Sequence, residues 1–119
     1  MRLLLVEDEI QLSEALNQIL IKNKYVVDAV YNGEDGLDYG LTDIYDVIVL
    51  DIMLPKLNGL EVLKRLRKGN IKTPFILLTA KGQEEDKLFG YEVGADDYIT
   101  KPFSPKILIA KIKALLKRT

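Results

Sequence analysis

The stretch Val47-Ile48-Val49-Leu50-Asp51 decides the fold, because four aliphatic residues run without interruption into a carboxylate. An unbroken apolar run of this length predicts a strand that is covered on both faces, as in a parallel sheet. Further apolar or β-branched runs cover residues 2–6, 25–30, 74–78 and 97–100. We therefore predict five strands, with residues 47–51 at the centre of the pattern.

Apolar residues at helical spacing lie between these runs. The first helix is predicted from a set that shares one face at intervals of three and four residues: Leu12, Ala15, Leu16, Ile19 and Leu20. Three further helices are predicted over residues 34–40, around residues 62–66, and over residues 84–93 with Gly94 as C-cap. Strand and helix alternate throughout, which predicts one doubly wound, parallel α/β domain over residues 1–119.

The last helix has the clearest start signal. Ser104 and Pro105 are typical of the N-cap and first helical positions. The stripe predicted to be buried follows at helical spacing and consists of Leu108, Ile112, Leu115 and Leu116. This helix completes the fifth strand–helix pair.

Composition excludes several kinds of chemistry. The 119 residues include no Cys and no His, which excludes disulfides, thiolate metal sites, Ser-His triads and a phosphohistidine of the chain's own. The formal net charge of −1 argues against nucleic-acid binding by this segment. No apolar run is long enough to span a membrane or to serve as a signal peptide, so a cytoplasmic protein is expected.

Polar residues follow the predicted strands at their carboxyl ends. They are Glu7 and Asp8 after the first strand, Asp51 after the third, Thr79 after the fourth and Lys101 after the fifth. Ligands of open parallel α/β sheets bind at this edge. If the first and third strands are neighbours, three carboxylates meet there beside a hydroxyl and an ammonium group. Oxygen ligands without nitrogen or sulfur favour Mg²⁺, and a carboxylate could itself be a phosphoryl nucleophile.

A structural explanation exists for each of these residues alone. An acid after a strand often caps the next helix or lies in solvent, and for Glu9 this interpretation is preferred. For Asp8 capping and site membership remain equally open, and Lys101 alone would be a surface lysine. The joint placement of the set favours a phosphoryl site.

These residues belong to motifs that resemble the receiver domain of two-component response regulators over the whole chain. The motifs are Val6-Glu7-Asp8-Glu9, Leu50-Asp51-Ile52-Met53-Leu54-Pro55, Asn58-Gly59, Leu78-Thr79-Ala80, Gly94-Ala95-Asp96-Asp97-Tyr98 and Lys101-Pro102-Phe103. They stand in the order and at the spacing of that family. The resemblance implies a flavodoxin-like (βα)5 fold with strand order 2-1-3-4-5.

The resemblance also implies a role for each site residue. Asp51 is expected to accept a phosphoryl group from the phosphohistidine of a cognate sensor histidine kinase, with Lys101 pairing with the phosphoryl oxygens. The expected Mg²⁺ ligands are Glu7, Asp8, Asp51 and the backbone carbonyl of Met53. Thr79 and Tyr98 are expected to form the coupled switch, and the Lys101–Pro102 bond is expected to be cis. Met53 and Lys81 stand where the family tunes hydrolysis, and neither orients water, so a long-lived phosphoryl group is expected.

The sequence is especially similar to the OmpR/PhoB subfamily, whose members dimerise through helix four, strand five and helix five. The residues expected on that face are Lys87, Leu88, Tyr91, Glu92, Asp96, Asp97, Ile107, Lys111 and Lys113. Ile107 departs from the subfamily, which has an acidic residue there to pair with helix four. Either an apolar contact substitutes, or the charges form a solvated face.

The subfamily resemblance implies a C-terminal winged helix that binds DNA, and none follows residue 119. We expect a receiver cut from a longer transcription regulator, with a stand-alone receiver or phosphorelay module as the alternative. A small Mg²⁺-dependent phosphatase with an aspartyl nucleophile would need a second acid where Met53 stands. Nucleotide or flavin binding would need a glycine-rich phosphate loop, which is absent. A phosphate-independent dimerisation module would not need the complete site. No enzymatic activity beyond self-phosphorylation and autodephosphorylation is expected.

Overall fold

The structure is a computed structural model that describes residues 1–80 and 84–118. Within these residues, strands and helices alternate along the chain. The strands are β1 (Arg2–Val6), β2 (Val26–Val30), β3 (Val47–Asp51), β4 (Phe75–Ala80) and β5 (Asp97–Lys101). The helices are α1 (Ile10–Lys22), α2 (Gly33–Gly40), α3 (Gly59–Lys68), α4 (Glu84–Val93) and α5 (Pro105–Lys117). The predicted elements are all confirmed, with bounds that shift by a few residues.

The strands form one parallel sheet in the order β2-β1-β3-β4-β5, which confirms the expected topology. In the register, Val6 pairs with Leu50 and Asp51 pairs with Leu78. The carboxyl ends of β1, β3 and β4 therefore lie side by side. This is the edge at which the polar residues follow the strands.

The central strands β1, β3 and β4 are buried on both faces, as their unbroken apolar runs predict, whereas the edge strands β2 and β5 are only partly buried. Alternate residues of one strand enter different layers of the core: Ile48 and Leu50 pack on one side, and Val47 and Val49 pack on the other. Full burial of one such aliphatic side chain contributes about 1.5–3 kcal/mol of transfer free energy. The sheet is thus a rigid base for the residues at its carboxyl edge.

Helix α1 corrects one detail of the predicted core. Ala15 is exposed, and Ser13 is buried beside Leu16 and Leu20. Ala15 lies about 100° around the helix from Leu16, at the edge of the apolar stripe, because each residue advances the helix by that angle. In α5, Leu116 is half-buried for a similar reason, and the rest of its predicted stripe is buried.

The helix boundaries have local causes. Ser104 caps α5 by accepting a hydrogen bond from the Lys106 amide at 3.3 Å, with Pro105 in the first turn, as predicted. Asn58 caps α3 by accepting from the Leu60 amide at 2.7 Å. Gly94 follows α4 with a φ of 112°, a conformation that glycine adopts without steric cost. No helix among the described residues is long and apolar enough to cross a membrane.

Candidate functional site

Three carboxylates meet at the carboxyl edge of β1 and β3. One oxygen from each of Glu7, Asp8 and Asp51 can be chosen so that all three lie within 4.8 Å of one another. Glu7 and Asp51 are buried, whereas Asp8 is exposed. The N-cap position of α1 is Glu9. The cluster is therefore buried on the side of Glu7 and Asp51 and open to solvent on the side of Asp8.

Lys101 reaches the two buried carboxylates from the end of β5. Its ammonium nitrogen lies 2.7 Å from Glu7 Oε1 and 2.8 Å from Asp51 Oδ2, although these residues are far apart in sequence. The second Glu7 oxygen accepts a hydrogen bond from the Glu9 amide at 3.0 Å. The peptide bond between Lys101 and Pro102 is cis. The chain thus brings together the residues that the sequence singled out at its first, third and fifth strands.

The electrostatics of this cluster are unbalanced, because one ammonium group faces three carboxyl groups. Burial raises the pKa of Glu7 to about 7, and the neighbouring charge of Asp51 adds to the shift while the Lys101 hydrogen bond opposes it. Burial alone would lower the pKa of Lys101, but its bonds to Asp51 and Glu7 outweigh this and raise the pKa. The Lys101 side chain is therefore protonated at neutral pH. The carboxyl groups outnumber this one positive charge, so the cluster can accommodate a second cation.

The cluster suits a hard divalent cation. Its donor set consists of carboxylate oxygens alone, which is the set that Mg²⁺ favours over transition metals. A bound dication would also offset the repulsion from Asp51, which adds to the rise in the Glu7 pKa that burial causes. The residues present therefore fit the metal that the sequence predicts.

Thr79 adds a buried hydroxyl on β4, next to the strand that ends in Asp51. Asp51 pairs with Leu78 in the sheet, so Thr79 is one residue further along β4. Its Oγ1 atom is buried and has no hydrogen-bond partner within residues 1–80 and 84–118. An unmade hydrogen bond of a buried group costs about 1–3 kcal/mol. Such a group is a candidate for a partner that arrives only in another state of the protein.

The loop after β3 closes over Asp51. The Met53 amide donates to Asp51 Oδ1 at 3.1 Å, and the Gly59 amide donates to the Ile52 carbonyl at 2.8 Å. The Met53 side chain is exposed, and it places no carboxylate or amide beside Asp51. Lys81, the other residue expected to affect hydrolysis, lies outside the described residues.

The surface formed by α4, β5 and α5 carries the residues expected at a dimer interface. Leu88, Tyr91 and Ile107 are exposed there. The Tyr98 ring is buried, and it meets the Tyr91 ring edge-on at a centroid distance of 4.6 Å. Glu92 and Lys113 are exposed, and the Lys87 side chain lies outside the described residues.

Charged residues of this face also have partners within the chain. Lys111 Nζ lies 2.9 Å from Asp97 Oδ2. Asp96 accepts from the Phe75 amide at 2.9 Å and pairs with Arg118 at 3.1 Å and Arg67 at 3.4 Å. Sequence reasoning missed both arginines, because basic residues on amphipathic helices usually face solvent.

Residues 3–113 match the response regulator receiver domain family. The chain belongs to this family. It is 54% identical over 113 residues to the transcriptional regulatory protein DltR of Streptococcus agalactiae, covering 95% of this chain and 50% of that protein. It is 47% identical over 117 residues to the response regulator ArlR of Staphylococcus aureus, covering 98% of this chain and 53% of that protein. These relatives support the OmpR/PhoB-like assignment.

Solved structures agree with the fold of this receiver domain. The Francisella response regulator 1452 receiver domain is 38% identical, with a TM-score of 0.92 and coverage of 98% of this chain and 97% of that one. The non-phosphorylated HemR receiver domain of Leptospira biflexa is 32% identical, with a TM-score of 0.92 and coverage of 99% and 95%. The chain spans about half the length of the curated relatives it matches. Receiver domains are signalling switches. The match to this family does not point to a family of enzymes.

Proposed function

We propose that Asp51 accepts a phosphoryl group from the phosphohistidine of a sensor histidine kinase and that the modified domain regulates transcription. A carboxylate oxygen of Asp51 forms the new P–O bond, while the P–N bond of the donor breaks and its electron pair returns to the imidazole. The observation that carries the proposal is the ion pair of Lys101 with Asp51 at 2.8 Å inside a cluster of three carboxylates. The ammonium group is positioned to neutralise phosphoryl oxygens as they arrive.

The proposed Mg²⁺ ligands are the carboxylates of Glu7, Asp8 and Asp51 and the backbone carbonyl of Met53. When bound, the ion supplies positive charge that lowers the repulsion between the carboxylates and the incoming phosphoryl group. Burial of Glu7 and Asp51 keeps their oxygens fixed before the donor arrives. Asp8 is exposed at the open side, where the donor must approach.

Phosphorylation is proposed to reset the face made by α4, β5 and α5. The phosphoryl group adds negative charge and acceptor oxygens, so the Thr79 hydroxyl gains the hydrogen-bond partner that it lacks. A contact made in only one state shifts the equilibrium toward that state. Tyr98 is the second half of the proposed switch. Its ring, expected to turn inward on phosphorylation, is already buried beside Tyr91 in this structure, so phosphorylation would hold it there. The altered face promotes a homodimer.

We further propose that the domain controls a C-terminal winged-helix domain that binds DNA, with no DNA contact of its own. Support comes from its similarity to a transcriptional regulatory protein whose length it covers by half. The near-neutral net charge of −1 agrees with a segment that does not hold DNA. A stand-alone receiver would share the site and lack transcriptional output.

The phosphoacceptor is tested with a small phosphodonor, acetyl phosphate, and Mg²⁺, followed by intact mass. We expect one phosphoryl adduct on the unaltered protein and none on Asp51→Asn, which keeps the fold. Asp38→Asn removes an exposed acid of α2 and serves as the matched control with normal uptake. Undiminished uptake by Asp51→Asn would refute the assignment.

The dimer face is tested by sedimentation of the phosphorylated protein. Ile107→Lys should weaken association by about tenfold or more, because a charge would replace an apolar contact at the interface. Ile44→Lys changes an equally exposed isoleucine in the loop before β3, away from this face, and should leave association unchanged. Equal behaviour of the two variants would place the interface elsewhere.

A phosphoryl half-life of seconds at Asp51 would contradict the expected long lifetime of the phosphoryl group.

A further inference from the structure

The loop between β3 and α3 is held in one conformation by its own backbone. Residues 52–58 form this loop, which carries Met53 and therefore one proposed metal ligand. The Leu54 amide donates to the Ile52 carbonyl at 3.1 Å, and the Leu57 amide donates to the Pro55 carbonyl at 2.8 Å. Lys56 has a φ of 69°, in the left-handed region. The loop is tightly turned, and its position depends on what packs against it.

The first residue of α2 packs directly against this loop. The Gly33 amide donates to the Pro55 carbonyl at 3.1 Å, and Gly33 is buried. A Cβ atom added at Gly33 would lie 1.7 Å from the Leu57 carbonyl oxygen and 2.6 Å from its carbonyl carbon. Both obstructing atoms belong to the backbone, so no side-chain rotation can relieve the clash. Any other residue at position 33 would have to displace the loop or the helix.

Another buried glycine of α2 has a different environment. A Cβ atom at Gly40 would lie 2.9 Å from Leu66 Cδ1, which is the end of a side chain that can rotate away. Gly33 and Gly40 are the first and last residues of the same helix. The close backbone approach is therefore specific to the end of α2 that meets the loop.

We propose that Gly33 is a positioning residue for the metal site. Its lack of a side chain lets the start of α2 seat the loop after β3, and the loop in turn presents the Met53 carbonyl to the cation. The inference rests on the proposed function, because that function makes Met53 a ligand. Coupling is reciprocal, so metal binding also stabilises the contact between Gly33 and Pro55.

The test is a calorimetric titration with Mg²⁺ alone. We expect Gly33→Ala to bind Mg²⁺ about tenfold or more weakly, as when residues that orient a metal ligand are altered. Gly40→Ala makes the same change in the same helix and should bind as the unaltered protein does. Unchanged affinity in Gly33→Ala would overturn the proposal.

A second measurement separates positioning from general damage. The rate of Asp51 phosphorylation by acetyl phosphate is followed as Mg²⁺ is raised. For Gly33→Ala we expect the half-saturating Mg²⁺ concentration to rise about tenfold while the limiting rate stays close to that of the unaltered protein. A fall in the limiting rate with an unchanged half-saturation point would count against positioning.

Amide exchange on the unaltered protein decides the question if Gly33→Ala does not fold. Mg²⁺ should slow exchange of the Gly33 amide, which donates to Pro55, more than that of the Gly36 amide, which donates to Asn32 within the helix start. Equal effects at the two amides would overturn the proposal. Failure of the proposed function has a different signature, since the unaltered protein would then take no phosphoryl group at Asp51.

Discussion

Two partly buried charged clusters lie at opposite edges of the sheet, and they differ in how fully their charges are matched. At the amino-terminal ends of β4 and β5, Arg67 donates to the carbonyls of Ile71 and Thr73 at 2.8 Å and of Gly94 at 2.7 Å. Its guanidinium also lies 4.8 Å from the centroid of the Phe75 ring. At the carboxyl edge, Lys101 faces three carboxyl groups.

The Arg67 cluster stabilises the fold, whereas the Lys101 cluster leaves charge available for a ligand. Arg67 carries many donors, and backbone carbonyls accept them, so the cluster is complete without a ligand. The carboxyl edge leaves surplus negative charge, and the buried Thr79 hydroxyl there finds no partner among the residues that the structure describes. If the charges at the carboxyl edge were paired as fully as those around Arg67, no group there would remain to bind a cation or a phosphoryl group.

The largest expected effect is the loss of stability when the cluster around Arg67 is broken. Arg67→Met should lower the free energy of unfolding by about 3 kcal/mol, because three backbone carbonyls in two loops would lose their donor. Arg65→Met removes an exposed arginine of the same helix that pairs with Glu61, and should cost about 0.5 kcal/mol or less. Urea unfolding measures both. Similar losses would mean that Arg67 is not a structural centre.

The fold was predictable because its signals are local and repeated. Most strands are short apolar runs, and polar residues end or follow β1, β3, β4 and β5 at the same edge of the sheet. The candidate site was predicted from that placement together with the order of the motifs. Asp8 shows the limit of the local signal, because capping was an equal alternative until the position of Glu9 at the start of α1 resolved it.

The long-range pairings were not predictable. The strand-end placement brings Lys101 and the carboxylates to one edge, but it does not indicate that Lys101 pairs at 2.7 Å with Glu7, 94 residues away. Arg67 occurs in a basic stretch of α3 that is typical of a solvated face, so its burial depends on how α3 packs beside β4 and β5. Ser13 is buried although a hydroxyl residue favours the surface. Such outcomes depend on tertiary contacts that periodicity does not encode.

The next effect concerns pH and the surplus charge. Burial raises the pKa of Glu7 from 4.5 to about 7, so the folded state binds the proton more tightly than the unfolded chain does. Its contribution to stability is therefore fully present below pH 4.5 and lost as pH rises through 7. Without metal, we expect the melting temperature to fall over this range.

Mg²⁺ and a Glu7 variant provide the controls. Because Mg²⁺ requires the ionised carboxylates, it should raise the melting temperature more at neutral pH than at pH 5 or below. Glu7→Gln should flatten the metal-free pH profile. A profile that is the same with and without the carboxyl group would assign the pH dependence to other residues.

A smaller effect, of opposite sign, is expected at Thr79. Thr79→Val replaces an unpartnered buried hydroxyl with a methyl group of similar size, and should raise the free energy of unfolding by about 1 kcal/mol. The same variant should still accept a phosphoryl group at Asp51 but dimerise less in response. Thr79→Ser keeps the hydroxyl and should not be stabilised. If Thr79→Val is strongly destabilised, the hydroxyl has a structural partner in the folded protein.

The smallest expected effect on folding is at the dimer face. Lys111 and Asp97 are partly exposed, and such pairs contribute about 0–1 kcal/mol. Lys111→Met should therefore change the free energy of unfolding by less than about 1 kcal/mol. If Lys111 leaves Asp97 of its own chain and pairs with Asp97 of a second copy in the dimer, the same change weakens the phosphorylated dimer severalfold. Sedimentation measures this effect. Lys64→Met is the matched control, since Lys64 is an exposed lysine of α3, which does not contribute to this face. Equal dimerisation of both variants, with Lys111→Met strongly destabilised, would make Lys111 a structural residue like Arg67.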